Sequence, residues 1–492
     1  MEATTSKRAF IKDLGQSLER DVLIRGWVHH LRVLARTTFI IVRDCSGEAQ
    51  CVVPSESMRD LHLKLDDAVE IQGRVRPDAR AKAGYEIDAL HTRVLGRASN
   101  TLPFNSSSNI SAVGFETLID YRPLALRNDR VGDVFRIQAA ILKYFREFLS
   151  RNLFTEIVTS KIVASGTEGG SNLFPLKYFD RVAYLAQSPQ FYKEHGIAGL
   201  ERVYETGHVY RAEPHASSRH LTEYYSLDFE LGFIDGPEEV MQVERELLTY
   251  IFERLNEGFG SVLARYRSQP RQAAPESADS SKQPQVTVGK AQPPNLSEES
   301  QHQQLTVGKG VPARPRAPSA PLRSQQIQLP SLLETPCWEF DRCLDLLKHH
   351  FGRTDLTDDL DPEGERQLCA LTEKETGIPA LFVVGFPLAS RPFYTAPRGT
   401  SGAAQSFDLL FQGVEITTGG QRLHRREDLE AALRMRGMDP AAFESHLKMF
   451  ELGMPPHGGL AIGLERLTAQ VLCLSNVREA VLYPRDRYRV TP

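Results

Sequence analysis

The 492 residues carry 59 Lys and Arg against 63 Asp and Glu, a net charge of −4, with 41% hydrophobic and 25% charged residues. That length buries a sizeable core in roughly two or three domains, and the near-neutral balance excludes a generally basic nucleic-acid coat while leaving room for a local basic surface. The six cysteines (Cys45, Cys51, Cys337, Cys343, Cys369, Cys473) show no CxxC pair and no zinc spacing, which points to free thiols in a reducing compartment. No secretory apolar segment and no apolar run of about 18 residues occurs, so a cytoplasmic protein without membrane spans is expected.

Residues 22–96 alternate short β-rich runs with turns: VLIRGWVHHL, TTFIIVRD, EAQCVVP, DAVEIQGRV and YEIDALHTRVLG. Five strands at this spacing predict a small OB-fold barrel over residues 1–100. Eight Lys/Arg against three Asp/Glu between Lys7 and Arg43 place the local basic excess on it. A polar linker follows at 101–120. From there helices and strands alternate through 121–492: VFRIQAAILKYFREFLSRN has helical spacing, and RVAYLAQ, RVYETGHVY and YSLDFELGF read as strands. The expected class is α+β, an N-terminal barrel followed by a larger domain of sheet and helices. Residues 268–329 interrupt it with nine prolines and no aromatic residue, a composition too poor in apolar surface to offset ordering entropy, and predict a disordered insertion. The VTVGKA and LTVGKG echoes inside it lack the P-loop pattern.

Three runs carry chemistry. RAEPHASSRHLTEY, 211–224, gathers Arg211, Glu213, His215, Arg219 and His220 between two strands. Arginine's planar fork pairs bidentately with phosphate or carboxylate, so Arg211 and Arg219 suit one phosphate group gripped from two directions. Taken alone, the run reads equally well as a surface loop with ordinary ion pairs. In SFDLLFQGVEITTGGQR, 406–422, Gln412-Gly413 suits a two-residue hairpin turn that sets Phe411 opposite Val414 and Leu410 opposite Glu415. Asp408 and Glu415 then share a sheet face as diagonal neighbours, close enough to share an ion; two carboxylates on a solvated face is the plainer alternative. In MPPHGGLAIGLERLTAQVLCL, a glycine-rich stretch enters a helix near Gly463 with Arg466 in its first turn. Arginine opposes the helix dipole there unless it reaches an anion.

In this order the three runs resemble motifs 2 and 3 of the class II aminoacyl-tRNA synthetases and the strand pair between them. With TEGGSNLFPLKYF (167–179), AQSPQFYKE (186–194) and the terminal NVREAVLYPRDRYRVTP, they look like the archaeal-type aspartyl-tRNA synthetases over nearly the whole chain outside the insertion. The resemblance implies a class II catalytic domain at 121–492, an antiparallel sheet flanked by helices. It implies activation of L-aspartate with ATP to an aspartyl-adenylate and transfer to the 3′ end of tRNA-Asp, in a homodimer. Arg211 would bind the α-phosphate and the substrate carboxylate. Glu213, Arg219, His220, Leu221, Tyr224, Glu415, Gly463, Leu464, Glu465 and Arg466 would form the ATP site. Asp408, Glu415 and Thr418 would bind Mg²⁺. Glu168 would meet the substrate ammonium, Lys193 and Arg422 its side-chain carboxylate, with Gln190 and Thr418 beside them. A cation pair suits a carboxylate better than an amide, which favours aspartate over asparagine.

In the barrel, Phe39 and Gln50 match the family's anticodon-stacking aromatic and hydrogen-bonding glutamine; without the resemblance, Phe39 reads as a core residue. His29 resembles relatives that charge both tRNA-Asp and tRNA-Asn, whereas Lys82 resembles the strict type, and the balance tilts to relaxed specificity. Ser160 departs from the proline that ends motif 1, the dimer-forming run. An asparaginyl enzyme and a non-charging RNA-binding paralogue are the alternatives.

Overall fold

The computed structural model describes residues 7–58, 61–167, 172–214, 219–268 and 327–491. Most of the insertion expected at 268–329 therefore lies outside the described residues. The chain divides into two compact units, Met1–Ala140 with Ala480–Pro492, and Ile141–Glu479.

In the first unit β1 (Asp21–Val33), β2 (Thr37–Arg43), β3 (Glu48–Pro54), β4 (Ala68–Pro77) and β5 (Tyr85–Gly96) close a barrel in the order β1-β2-β3-β5-β4. The alternation seen in the sequence decides which side chains fill it. Ile40 and Val42 of β2 point inward with Ile24, Cys51, Val69 and Ile71, all fully buried, and the intervening Phe39 and Ile41 stay half-exposed. The β1–β2 register slips between Val28 and His30, so His29 is the extra residue of a bulge. Arg122 ties the C-terminal segment down, donating to the carbonyls of Val481 and Leu482 at 2.9 Å each.

The second unit holds β6 (Thr155–Glu156), β7 (Ile162–Val163), β8 (Pro175–Tyr178), β9 (Arg181–Leu185), β10 (Arg202–Tyr210), β11 (Glu223–Gly232), β12 (Cys337–Glu339), β13 (Ala380–Val384), β14 (Ser406–Phe411), β15 (Val414–Gln421) and β16 (His457–Gly463). Three of them form a small sheet, β7-β9-β8, and the other eight one sheet in the order β12-β13-β14-β15-β16-β11-β10-β6. Its interior pairs are antiparallel; only the outermost pairs, β12 with β13 and β6 with β10, are parallel.

Strand periodicity gives this sheet two unlike faces. Phe407, Gly419, Leu460 and Phe229 pair across four strands, and Leu227 with Ile462 and Thr417 in the next row. This apolar face packs on the long helix Pro237–Arg267. The opposite face carries the row Asp408, Thr418, Ala461, Asp228 and the row Ser406, Gly420, Gly459, Glu230. Small residues in the middle, with Asp408, Asp228 and Glu230 at three of the four ends, make it a floor.

Candidate active site

One end of the floor is built around buried charge. The helix Gln190–Leu200 turns Gln190, Lys193, Glu194 and Ile197 inward, the i, i+3, i+4, i+7 stripe that normally carries apolar residues. Lys193 is fully buried, with its Nζ 3.1 Å from Asp228 Oδ1, 3.2 Å from Glu230 Oε2 and 3.2 Å from the Leu460 carbonyl. Arg422 donates from Nε to Glu230 Oε1 at 2.9 Å and from Nη2 to the Gly459 carbonyl at 2.9 Å. Its guanidinium stands 5.4 Å from the centre of the Tyr394 ring. Glu230 thus sits between two cations. Gly459 permits this, because a Cβ there would stand 2.1 Å from the Phe229 carbonyl and 2.2 Å from Glu230 Oε2.

The sequence reading found the two cations but not their anionic partners. Asp228 and Glu230 lie two apart among the apolar Leu227, Phe229 and Leu231, and that spacing, which puts both on one face, was the available signal. Two positive and two negative charges balance here. Removing one member would leave a buried unpaired charge, costing about 3–5 kcal/mol.

The other end is built by a hairpin. Gln412 and Gly413 have φ of 51° and 80°, the left-handed pair a two-residue turn needs, and Phe411 faces Val414 and Leu410 faces Glu415 as expected. The register then slips between Leu409 and Leu410, which places Asp408 opposite Thr418. Asp408 is buried and takes both nitrogens of the Arg391 fork, at 3.0 and 2.8 Å. Burial, opposed by Arg391 and reinforced by Glu415, pushes its carboxyl up to about 6. Glu415 is more open, its side chain 35% exposed, and its Oε1 accepts from the Thr418 hydroxyl at 2.9 Å.

Two arginines reach the hairpin tip from different elements. Arg466, in the helix Leu464–Val471, donates to the Glu415 carbonyl at 3.1 Å and lies 3.6 Å from its carboxylate. Arg219 donates to the Gly413 carbonyl at 3.2 Å and to Glu365 Oε2 at 3.0 Å. Glu365, which also accepts from the Glu415 N–H at 3.1 Å, is pushed up to about 7 by burial, with Arg219 opposing and Glu415 adding to the rise.

Of the other expected residues, Arg211 leaves the end of β10 with its guanidinium 5.8 Å from the Tyr224 ring centre. Its N–H donates to the Thr222 carbonyl at 2.9 Å, and its own carbonyl accepts from the Glu213 N–H at 2.7 Å. Leu221 is buried and His220 half-buried beside them. Gly463 pairs with Ser226 and precedes the buried Leu464 at the helix start. Glu465 is turned to the backbone of β11, both its oxygens 3.1 Å from the Tyr225 N–H, and burial pushes it up to about 8. Glu168 and His215 lie outside the described residues. The Asn172 carbonyl accepts from the Ala212 N–H at 2.7 Å.

In the barrel, Phe39 and Gln50 share the outer face of β2 and β3, and Gln50 donates to Glu86 at 2.9 Å. Lys82 is exposed. His29 is only 8% exposed, its nitrogens 3.3 Å from Ser106 Oγ and 3.3 Å from Glu48 Oε1, and burial lowers its pKa against the pull of Glu48. Among the described residues no three His, Cys, Asp or Glu side chains gather as a metal-binding group, and no helix is long and apolar enough to cross a membrane.

A floor with paired charges at one end and converging arginines at the other fits the adenylate-forming sheet that the motifs resemble. Residues 115–487 match the family described as tRNA synthetases class II (D, K and N), and residues 22–95 match the OB-fold nucleic acid binding domain. The chain belongs to the class II tRNA synthetases of this D, K and N group. Among its relatives is the aspartate–tRNA(Asp/Asn) ligase of Thermus thermophilus, 37% identical over 99% of this chain and 100% of the relative. The aspartate–tRNA(Asp) ligase of Pyrococcus abyssi is 32% identical over 96% of each chain. Of solved structures, asparaginyl-tRNA synthetase from Pyrococcus horikoshii with asparaginyl-adenylate superposes with a TM-score of 0.81 at 26% identity, covering 99% of this chain and 100% of that one.

Proposed function

We propose that this chain is an aspartate–tRNA ligase, activating L-aspartate with ATP and passing the aspartyl group to the 3′ end of tRNA-Asp. The observation that carries this is the buried Lys193–Glu230–Arg422 arrangement. Lys193 and Arg422 come from separate runs of the chain and meet on one carboxylate; with Asp228 turned to the substrate ammonium, an incoming side-chain carboxylate restores the charge balance, which an amide would not. Asp228 is the buried acid on the same floor and, with Glu168, suits the substrate ammonium. Gln190 and Thr418 complete the amino-acid end.

At the nucleotide end Arg211 neutralises the α-phosphate as the substrate carboxylate attacks it and pyrophosphate leaves with the broken α–β bond, and no protein nucleophile is needed. Tyr224 carries the base, with Glu213, His220 and Leu221 around it. Gly463, Leu464 and Glu465 shape the helix entry, and Arg219 and Arg466 take the outer phosphates. Glu415, half-exposed and tied to Thr418, fits a hard cation such as Mg²⁺. Asp408, whose oxygens are both on Arg391, would stand behind it as the second carboxylate. When bound, Mg²⁺ would supply charge neutralisation on the phosphates.

The half-exposed face of Phe39 and Gln50 supports anticodon reading in the barrel, residues 1–100, joined by 101–120 to the catalytic span 121–492. His29 and Lys82 belong to the same reading, with tRNA-Asn as a second acceptor. Exposed Leu153, Val158, Ile162 and Phe179, at 82%, 94%, 50% and 80%, support a homodimer across the motif 1 region. The six free cysteines support a reducing, cytoplasmic setting. Likeness to an asparaginyl enzyme's structure favours one second reading, charging of asparagine. Pyrophosphate exchange with each amino acid separates them: exchange is expected with aspartate, and exchange with asparagine alone would overturn the proposal.

A further inference from the structure

Behind the amino-acid end lies a chain of buried titratable groups that the reaction itself does not use. Gln190 donates from Nε2 to Glu194 Oε1 at 2.7 Å. Glu194 is fully buried, and its Oε2 lies 3.3 Å from His446 Nε2. His446 Nδ1 in turn lies 2.9 Å from His195 Nε2. The His446 ring stacks on Phe191 with centroids 4.0 Å apart and meets the edge of Phe450 at 5.0 Å. It is 2% exposed, so neither its position nor its partners are set by solvent.

Each link fixes the next. Burial raises the Glu194 carboxyl, but His446, His457 and Gln190 outweigh this and hold it at about 2, so at neutral pH it accepts hydrogen bonds and cannot donate. His446 sets Nε2 3.3 Å from Glu194 Oε2 and Nδ1 2.9 Å from His195 Nε2, so the imidazole pair backs the carboxylate oxygen that Gln190 does not use. Burial and His446 lower His195 to about 4. At the other end the same logic acts on an amide. A carboxylate partner admits only the NH₂ edge of Gln190, so the Gln190 oxygen is the atom left to turn elsewhere. Gln190 and Lys193 occupy one buried stripe of one helix, and Lys193 already touches Asp228.

We propose that Glu194, locked by the His446–His195 pair, is a positioning residue that holds the Gln190 amide with its oxygen toward the ammonium of the bound amino acid. This rests on the reading of the site as an aspartate pocket. With Glu194→Gln the partner both donates and accepts, either amide orientation is satisfied, and the flipped one points an NH₂ group at the ammonium.

Aspartate-dependent pyrophosphate exchange on the full-length chain tests this, with KM measured for aspartate and for ATP and with succinate as a competitive inhibitor. Succinate has both carboxylates and no ammonium. Glu194→Gln is expected to raise the aspartate KM about tenfold or more, the loss of one hydrogen bond to a charged group, while the ATP KM and the succinate inhibition constant hold. A pocket merely loosened would lose aspartate and succinate together, and that result overturns the inference, as does an unchanged aspartate KM. If Glu194→Gln does not fold, His446→Leu leaves the carboxylate but removes the imidazole packed beside it. A severalfold rise in aspartate KM with succinate unaffected is then expected, and equal effects on both ligands overturn it. Wild-type protein with no aspartate exchange would instead defeat the aspartate reading itself.

Discussion

Arg466 and Arg219 illustrate how little of a side chain's role lies in its own neighbourhood on the chain. Each contacts a backbone carbonyl of the same hairpin, Glu415 and Gly413, yet they stand far apart in sequence. Their shared target leaves guanidinium edges at one place where an anionic phosphate chain would pass. Arg466→Ala is therefore expected to lower aspartate-dependent pyrophosphate exchange by about 100-fold or more with tRNA affinity near wild type. Exchange at the wild-type rate in that variant would refute the role. The sequence showed Lys193 and Arg422 as cations because they stand in motif-like runs. It concealed Asp228, Glu230 and Arg391, since a charged residue in an apolar strand or a loop declares its partner only once the chain has folded.

The β14–β15 hairpin was legible to within its first two pairs, because a Gln-Gly turn fixes local register. The slip beyond Leu410 was not, since an extra residue in a ladder leaves no compositional mark. The sheet's apolar side presents a different case. The helix Pro237–Arg267 buries Glu244 fully against that side, near Thr417. Burial raises its carboxyl to about 8, with Thr417 and Arg245 opposing and Asp408 adding. In the unfolded chain a glutamate titrates near ~4.3. Between these values the folded protein holds a proton that the unfolded chain has lost, so stability declines as pH rises through this window. Glu244→Gln removes that titration. Its melting temperature relative to wild type should improve steadily from pH 5 to pH 9, and parallel curves for the two proteins would show that Glu244 is not the group responsible.

At the scale of the molecule, the last residues of the span expected to be disordered are packed. Leu329 is 4% exposed and exchanges two 2.9 Å hydrogen bonds with Asn256, so a segment read as ending at 329 already belongs to the core there. Replacing 269–326 by a short Gly/Ser linker, with Leu329 kept, should leave aspartate activation near wild type; loss of folding on calorimetry would make the insertion structural. The proposed homodimer is open to an equally direct check. Val158→Lys places a charge on the most exposed of the large apolar residues, 94% accessible, and should shift sedimentation toward monomer, whereas an unchanged dimer would move the interface elsewhere.

The row Asp408, Thr418, Ala461, Asp228 crosses four neighbouring strands. Strands repeat at about 4.8 Å, so Asp408 and Asp228 stand three repeats, roughly 14 Å, apart, with Thr418 between them. In the proposed reading, the reach from the metal-and-phosphate end to the amino-acid end is thus counted out by backbone pairing, as on a ruled scale, and no side chain sets it. Substitutions at either end change what is read there without altering the span between them. A sheet of this kind can exchange one amino acid for another while its nucleotide grip stays as it was.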